Sequence, residues 1–222
     1  MTHLTPKPTS SDHARLVLLG AGGHAREVVA LLTDGVVGPA LSHVGAYDDG
    51  SPDAQVLGRI GLTHLGPTSE MHWWAGSGFA ACIGSRAVRL RLAQAATAAG
   101  LTAQNGLSTR AHIGPDVRCG EGVVVFPMAT VTTNIELANQ VHVGRGAAIG
   151  HGSVLAEGVT VMPNASVSGN VTIGARSTIG TGAAVIQGVT IGADVMVGAG
   201  AVVVRDVPDG VTVAGVPAQV IG

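Results

Sequence analysis

The run Ile173-Gly174-Ala175-Arg176-Ser177-Thr178-Ile179-Gly180-Thr181-Gly182-Ala183-Ala184-Val185 sets an aliphatic residue every six positions. The step continues unbroken both ways. Before it come Ile113, Cys119, Val125, Val131, Leu137, Val143, Ile149, Leu155, Val161 and Val167; after it come Ile191, Val197 and Val203. All sixteen anchors are apolar. A period of six fits neither an amphipathic helix nor a simple alternating strand. It is a β-helix period, in which short strands joined by turns wind into stacked coils. Three hexads make one coil, so residues 113–208 hold five and one-third coils with no inserted loop. The expectation is that each anchor points inward at a corner. The residue after it is often Gly (114, 120, 144, 150, 174, 180, 192 and 198) and is assigned to the turn, because Gly accepts positive φ. The fourth position after the anchor is always small or β-branched, from Val117 and Val123 to Ala201 and Val207. Coils stack at roughly 4.8 Å, and each buries its neighbour.

Composition agrees. Gly makes up 34 of 222 residues and aromatics only 2%, which suits a narrow core that only small and β-branched side chains fill. Net charge is −2 with no basic run, so nucleic acid is not an expected partner. No apolar run is long enough to span a membrane. The polar segment 1–14, with Pro6, Pro8, Ser10 and Ser11, lacks the apolar stretch of a signal peptide and reads as a flexible tail. A soluble, cytoplasmic protein is expected. Cys82 and Cys119 lie in apolar runs and read as buried thiols rather than a disulfide or a metal pair.

Residues 15–100 read as a small Rossmann-like α/β domain. Leu16–Leu19 is a strand, Gly20-Ala21-Gly22-Gly23-His24-Ala25 a glycine-rich turn and Arg26–Thr33 a helix. Val44–Tyr47 and Phe79–Ile83 are further strands, and Ser85–Ala99 is a helix with Ser85 at its N-cap. Gly20, Gly22 and Ala25 match a dinucleotide fingerprint loosely; the plain alternative is a tight strand-to-helix turn. The domain has room for about one mononucleotide-binding half. Amides at the helix start can hold one pyrophosphate, and Asp48 or Asp49 can accept from a ribose or base, or cap a solvated turn. Trp73-Trp74 is assigned to packing. Residues 101–112, with the turn signal Asn105-Gly106, join the two domains, and 209–222 form a C-terminal extension.

A GAGGHA α/β domain followed by hexapeptide coils resembles the sialic-acid O-acetyltransferase and UDP-4-amino-sugar N-acetyltransferase family, whose bacillosamine-pathway members are the best-defined type. The resemblance covers roughly residues 16–219. It rests on Gly20–Ala25, Cys82-Ile83-Gly84-Ser85, Gly150-His151, Pro163-Asn164-Ala165 through Gly169, and Ala214-Gly215-Val216-Pro217-Ala218. It implies a left-handed β-helix, a homotrimer with sites between the β-helices of adjacent subunits, and acetyl transfer from acetyl-CoA to a nucleotide-linked amino sugar in surface-glycan biosynthesis. No metal is called for, because the acyl donor is already activated.

By the same resemblance His151 is the general base. The register agrees: two positions after Ile149, its side chain points outward, and Gly169 and Gln187 stack above it at one-coil steps. Gly169 faces the acetyl-CoA carbonyl, and Thr181, Ala199 and Thr160 lie along the CoA arm. Gly22, Gly23, His24, Asp48, Asp49, Gly84 and Ser85 contact the nucleotide sugar. The chain departs from the family twice. Gly152 stands where an Asp or Glu follows the catalytic histidine, and Thr160 replaces a second histidine that touches CoA. Glu157, a backbone carbonyl or a neighbouring subunit can supply the missing acceptor. His142 has no matched role. Outward Phe126, Met128, Met162 and Met196 would favour a partner surface. Two other readings stay open: O-acetylation of a sugar without a nucleotide, and a non-catalytic scaffold that binds nucleotide-sugar. Acyl groups longer than acetyl also fit.

Overall fold

A computed structural model describes residues 15–37 and 42–221, so the tail expected at 1–14 lies outside the described residues. The chain divides into two compact units at Gln104/Asn105. In the first, β1 (Arg15–Leu19), β2 (Ser42–Tyr47), β3 (His64–Gly66), β4 (Gly78–Ala81) and β5 (Thr102–Ala103) form one sheet in the order β3-β2-β1-β4-β5. Every neighbouring pair is parallel. Helices α1 (Gly23–Asp34), α2 (Ala54–Gly58) and α3 (Arg86–Ala98) alternate with the strands, and a 3-10 helix spans Thr68–Trp74. The central strand carries Leu16, Val17, Leu18 and Leu19, all buried, as expected for a parallel strand covered on both faces. Ser85 holds the N-cap position of α3, but its side chain makes no capping hydrogen bond. The two tryptophans part company: Trp74 is buried and donates through Nε1 to the Tyr47 hydroxyl at 3.2 Å, while Trp73 is exposed beside His72.

The second unit is a left-handed parallel β-helix. Each anchor sits on a short strand paired with the strands one coil before and after it, as in Val131–Ile149–Val167 and Leu137–Leu155–Ile173. Three faces result. The first carries Ile113 to Val203, the second Cys119 to Ile191, and the third Val125 to Val197. The third face also runs beyond the repeat at both ends. Gly106–Leu107 pairs with Val124–Val125, and Thr212–Ala214 closes the other end with an antiparallel partner, Gln219–Val220. The segment read as 101–112 is thus divided: Thr102–Ala103 belongs to the first sheet and Gly106–Leu107 to the coil. Fourteen anchors are buried; Ile113 and Cys119, in the first coil, are half-buried. Both cysteines are free thiols.

The turns correct one expectation. Anchors lie on the flat faces, and the positive φ falls three residues after the anchor, not one. Among the described residues, all eight non-glycine residues with positive φ occupy that place: Asp116, Met128, Asn134, Gln140, Asn164, Asn170, Arg176 and Asp194. The glycine directly after the anchor serves close approach instead. A Cβ on Gly180 would lie 2.7 Å from the Ala199 amide nitrogen, against backbone that cannot yield. Where Ser replaces the small inward residue, its hydroxyl completes the turn. Buried Ser153 donates to the Ser168 carbonyl and accepts from the Val171 N–H, and Ser177 does the same for Gly192 and Val195. Of the residues expected to face a partner, Met128, Met162 and Met196 are exposed, whereas Phe126, just past its strand, is buried.

Candidate functional site

In the α/β unit the chemistry gathers beyond the C-terminal ends of β1 and β2, where parallel sheets bind ligands. Gly22 is the N-cap of α1, and both Gly22 and Gly23 are exposed. Gly20 takes φ +101°, and a Cβ there would strike Ile83 and the Cys82 carbonyl, so the turns after β1 and β4 touch. Asp48 ties the turns together: its carboxylate accepts from the Ala21 N–H at 2.7 Å and the Gly50 N–H at 2.8 Å. A cleft of about 380 Å³ opens beside it, lined by Ala21, Gly22, Arg26, Asp48, Asp53 and Val56 among others. Asp49 is turned away and accepts from the Thr68 N–H and hydroxyl at 2.7 and 2.9 Å, capping the 3-10 helix. His24 is half-buried with Nδ1 3.7 Å from the Glu27 carboxylate.

Gly84 and Ser85 follow β4 and are exposed; neither lines the cleft. Beneath them lies a cation that the sequence did not advertise. Arg89 is fully buried and donates to the Ile83 carbonyl at 3.3 Å; burial, and then Arg86, lower its pKa to about 10. Arg26, Ser51 and Asp53 were also missed as cleft residues. Asp53 is legible in hindsight as an N-cap, accepting from the Gln55 and Val56 N–H groups. Arg26 could have been found only by its place in the first turn of α1.

On the coil, His151 is exposed at the edge between the first and second faces. Its imidazole lies against Gly169: a Cβ built on Gly169 would stand 2.6 Å from both Cε1 and Nε2. The ladder fixes this stacking. The Asn170 N–H donates to the His151 carbonyl at 2.7 Å, and the Gly188 N–H to the Gly169 carbonyl at 3.0 Å. Among the described residues the ring has no hydrogen-bond partner. Thr181 and Ala199 stack on each other, the Gly200 N–H reaching the Thr181 carbonyl at 2.9 Å, but on a different edge, between the third and first faces. Thr160 is half-buried on the third face, its strand neighbours being His142 and Thr178. Glu157 is exposed on the edge between the second and third faces. One chain therefore brings His151 and Gly169 together and leaves Thr160, Thr181, Ala199 and Glu157 elsewhere. Among the described residues no group of acidic, His and Cys side chains could hold a metal.

Residues 15–96 match the PglD N-terminal domain, and 152–187 match the bacterial transferase hexapeptide family. Perosamine N-acetyltransferase from Caulobacter crescentus, solved with CoA and GDP-perosamine, is 33% identical over 96% of this chain and all of its own, with a TM-score of 0.86. The chain belongs to the hexapeptide-repeat nucleotide-sugar N-acetyltransferases. The acetyltransferase domain of PglB from Neisseria gonorrhoeae, solved with acetyl-CoA, is 31% identical over 95% of this chain and all of its own, with a TM-score of 0.82. WeeI from Acinetobacter baumannii is 28% identical, covering 93% and 99%, with a TM-score of 0.80. No curated protein sequence matches. Family membership makes the chain a CoA-dependent sugar N-acetyltransferase, as the motifs implied. Gly152 takes φ +68°, which Asp116 and Asp194 also adopt at their own corners, so the backbone there accepts an aspartate. A Cβ on Gly152 would meet the movable Asn170 side-chain oxygen, and two coils below Gly152 the same column holds Asp116, which accepts from the Asn134 side-chain amide at 2.7 Å.

Proposed function

We propose that this protein transfers the acetyl group of acetyl-CoA to the amine of a nucleotide-linked amino sugar in surface-glycan biosynthesis, with His151 as general base. The observation that carries the reading is His151 on an open edge, directly beneath Gly169, in a chain matched end to end by enzymes of that chemistry. The sugar amine attacks the thioester carbonyl carbon. As the C–N bond forms, His151 takes the amine proton; the tetrahedral intermediate expels the CoA thiolate, which receives that proton. The Gly169 N–H makes no hydrogen bond among the described residues, and it is offered to the developing oxyanion. Gly22, Gly23 and Arg26 present amides and a cation to the diphosphate, and Asp48 keeps their turn in place.

The edges support a homotrimer: Thr181 and Ala199 share no edge with His151, so with the CoA arm assigned to them, the donor meets the base where one copy's His151 edge lies beside another copy's Thr181–Ala199 edge. Among the described residues no helix is long and apolar enough to cross a membrane; with CoA and nucleotide-sugars as substrates, the assigned compartment is the cytoplasm. Thiol release from acetyl-CoA, measured over UDP- and GDP-linked 4-amino sugars, tests the reading. One sugar should give turnover that His151→Ala lowers by about 10²–10⁴-fold. Full turnover by His151→Ala would remove the base assignment. Nucleotide-sugar binding with no CoA binding by calorimetry would leave a scaffold.

A further inference from the structure

We infer that Gly169 is a positioning residue for His151: its missing side chain forms the shelf on which the imidazole rests. This rests on His151 being the base. Two observations carry it. The first is the pattern of residues two places after each anchor. They run Pro115, Glu121, Pro127, Thr133, Asn139, Arg145, His151, Glu157, Pro163, Gly169, Ala175, Thr181, Gln187, Ala193, Ala199 and Arg205. In a chain with 34 glycines, these sixteen places hold only one, and it stands one coil above the histidine. The turn itself does not require glycine there: Gly169 does not have positive φ, and Thr133 and Gln187 occupy the same column with side chains.

The second observation is the contact. A Cβ on Gly169 would meet Cε1 and Nε2 of His151 at 2.6 Å and Cδ2 at 3.0 Å, so the ring lies flat over the glycine Cα. Nothing else described holds it by a hydrogen bond. The three atoms nearest a methyl group at 169 all belong to the far end of a flexible side chain. The coil would keep its stability and the imidazole would lose its seat. The Gly169 amide would remain, so the substitution separates the shelf from any oxyanion contact made by that N–H.

The test is Gly169→Ala, alone and combined with His151→Ala, with Thr133→Ala as a control in the same column. In the native background Gly169→Ala should lower kcat about 100-fold, the low end of what a general base contributes. KM for acetyl-CoA should stay within about twofold, and the thermal midpoint should match the parent. In the His151→Ala background it should change kcat less than about twofold, the non-additivity expected of residues that act as one unit. Thr133→Ala should leave kcat unchanged. An undiminished kcat in Gly169→Ala overturns the shelf. So does an equal loss in both backgrounds, which would place the methyl group's effect on the thioester. Full turnover by His151→Ala would instead sink the base assignment, and the shelf with it. On the unaltered protein, selective His and Gly labelling should show a nuclear Overhauser contact between the His151 Hε1 and a Gly169 Hα. Its absence counts against the shelf even if the variant fails to fold.

Discussion

The two units reach stability by opposite routes. In the α/β unit one layered core gathers Val17, Leu19, Tyr47, Trp74, Phe79 and Ala96 from across the whole segment. In the coil the core is a column in which each residue meets its own counterpart one coil away, Val131 on Ile149 and Ile149 on Val167. The first is a network and the second a stack. The same division holds for function. The α/β cleft is assembled from turns after different strands and is held by one carboxylate, Asp48. The coil edge presents His151 and Gly169 by register alone.

The comparison can be broken in several ways. The largest effect expected is from Leu18→Ala in the central strand and Ile173→Ala in the coil, each about 2–5 kcal/mol. Hydrogen exchange should then separate them: loss of protection spreads through the α/β unit for Leu18→Ala and stays in adjoining coils for Ile173→Ala. If both losses spread equally, the stack description fails. Next come the two kinds of coil glycine. Gly180→Ala, with its Cβ against backbone, should cost about 2–3 kcal/mol by the measure of overpacked sites. Gly200→Ala, at φ +68° with open space around it, should cost about 1–2 kcal/mol. Chemical denaturation reads both, and the reverse order would undo the assignment of their roles. Asp48→Ala leaves the Ala21 and Gly50 N–H groups without their acceptor. It should cost about 1–3 kcal/mol and weaken UDP- or GDP-sugar binding by calorimetry, with kcat at saturation retained. Smallest is Arg26→Ala: a several-fold rise in KM for the nucleotide-sugar, less at high salt, with the thermal midpoint unmoved.

Most of the coil was legible because its period is set by one repeated contact. Sixteen anchors stepping by six left no other reading, and the register put His151 outward beneath Gly169. The glycines were read wrongly because sequence alone cannot tell a glycine required for φ from one required for space. The residues with positive φ included Met128, Gln140 and Arg176, which no propensity rule selects. The register also held a fact left unread. Thr181 and Ala199 differ by a whole coil from each other, but by 12 and 30 residues from Gly169, neither a multiple of eighteen, which already puts them on another edge. In the α/β unit β1, β2, β4 and the two long helices were visible. The short α2, β3, β5 and the 3-10 helix were not, since two to seven residues are too few to show a period. Asp48 and Asp49 looked interchangeable as neighbours in a turn; only the fold turns one to the Ala21 amide and the other to Thr68.

The ladder of one-coil steps works as a gear. Adding eighteen residues between two coils would lengthen the shaft and keep every edge aligned. Adding six would turn everything above by a third of a revolution. A single extra hexad after Gly174 would carry Thr181 onto the His151 edge and remove Ala199 from its present one. The His151 and Thr181–Ala199 edges can therefore be re-indexed against each other by insertion alone, and the length of an insertion, more than its composition, decides whether they keep their alignment.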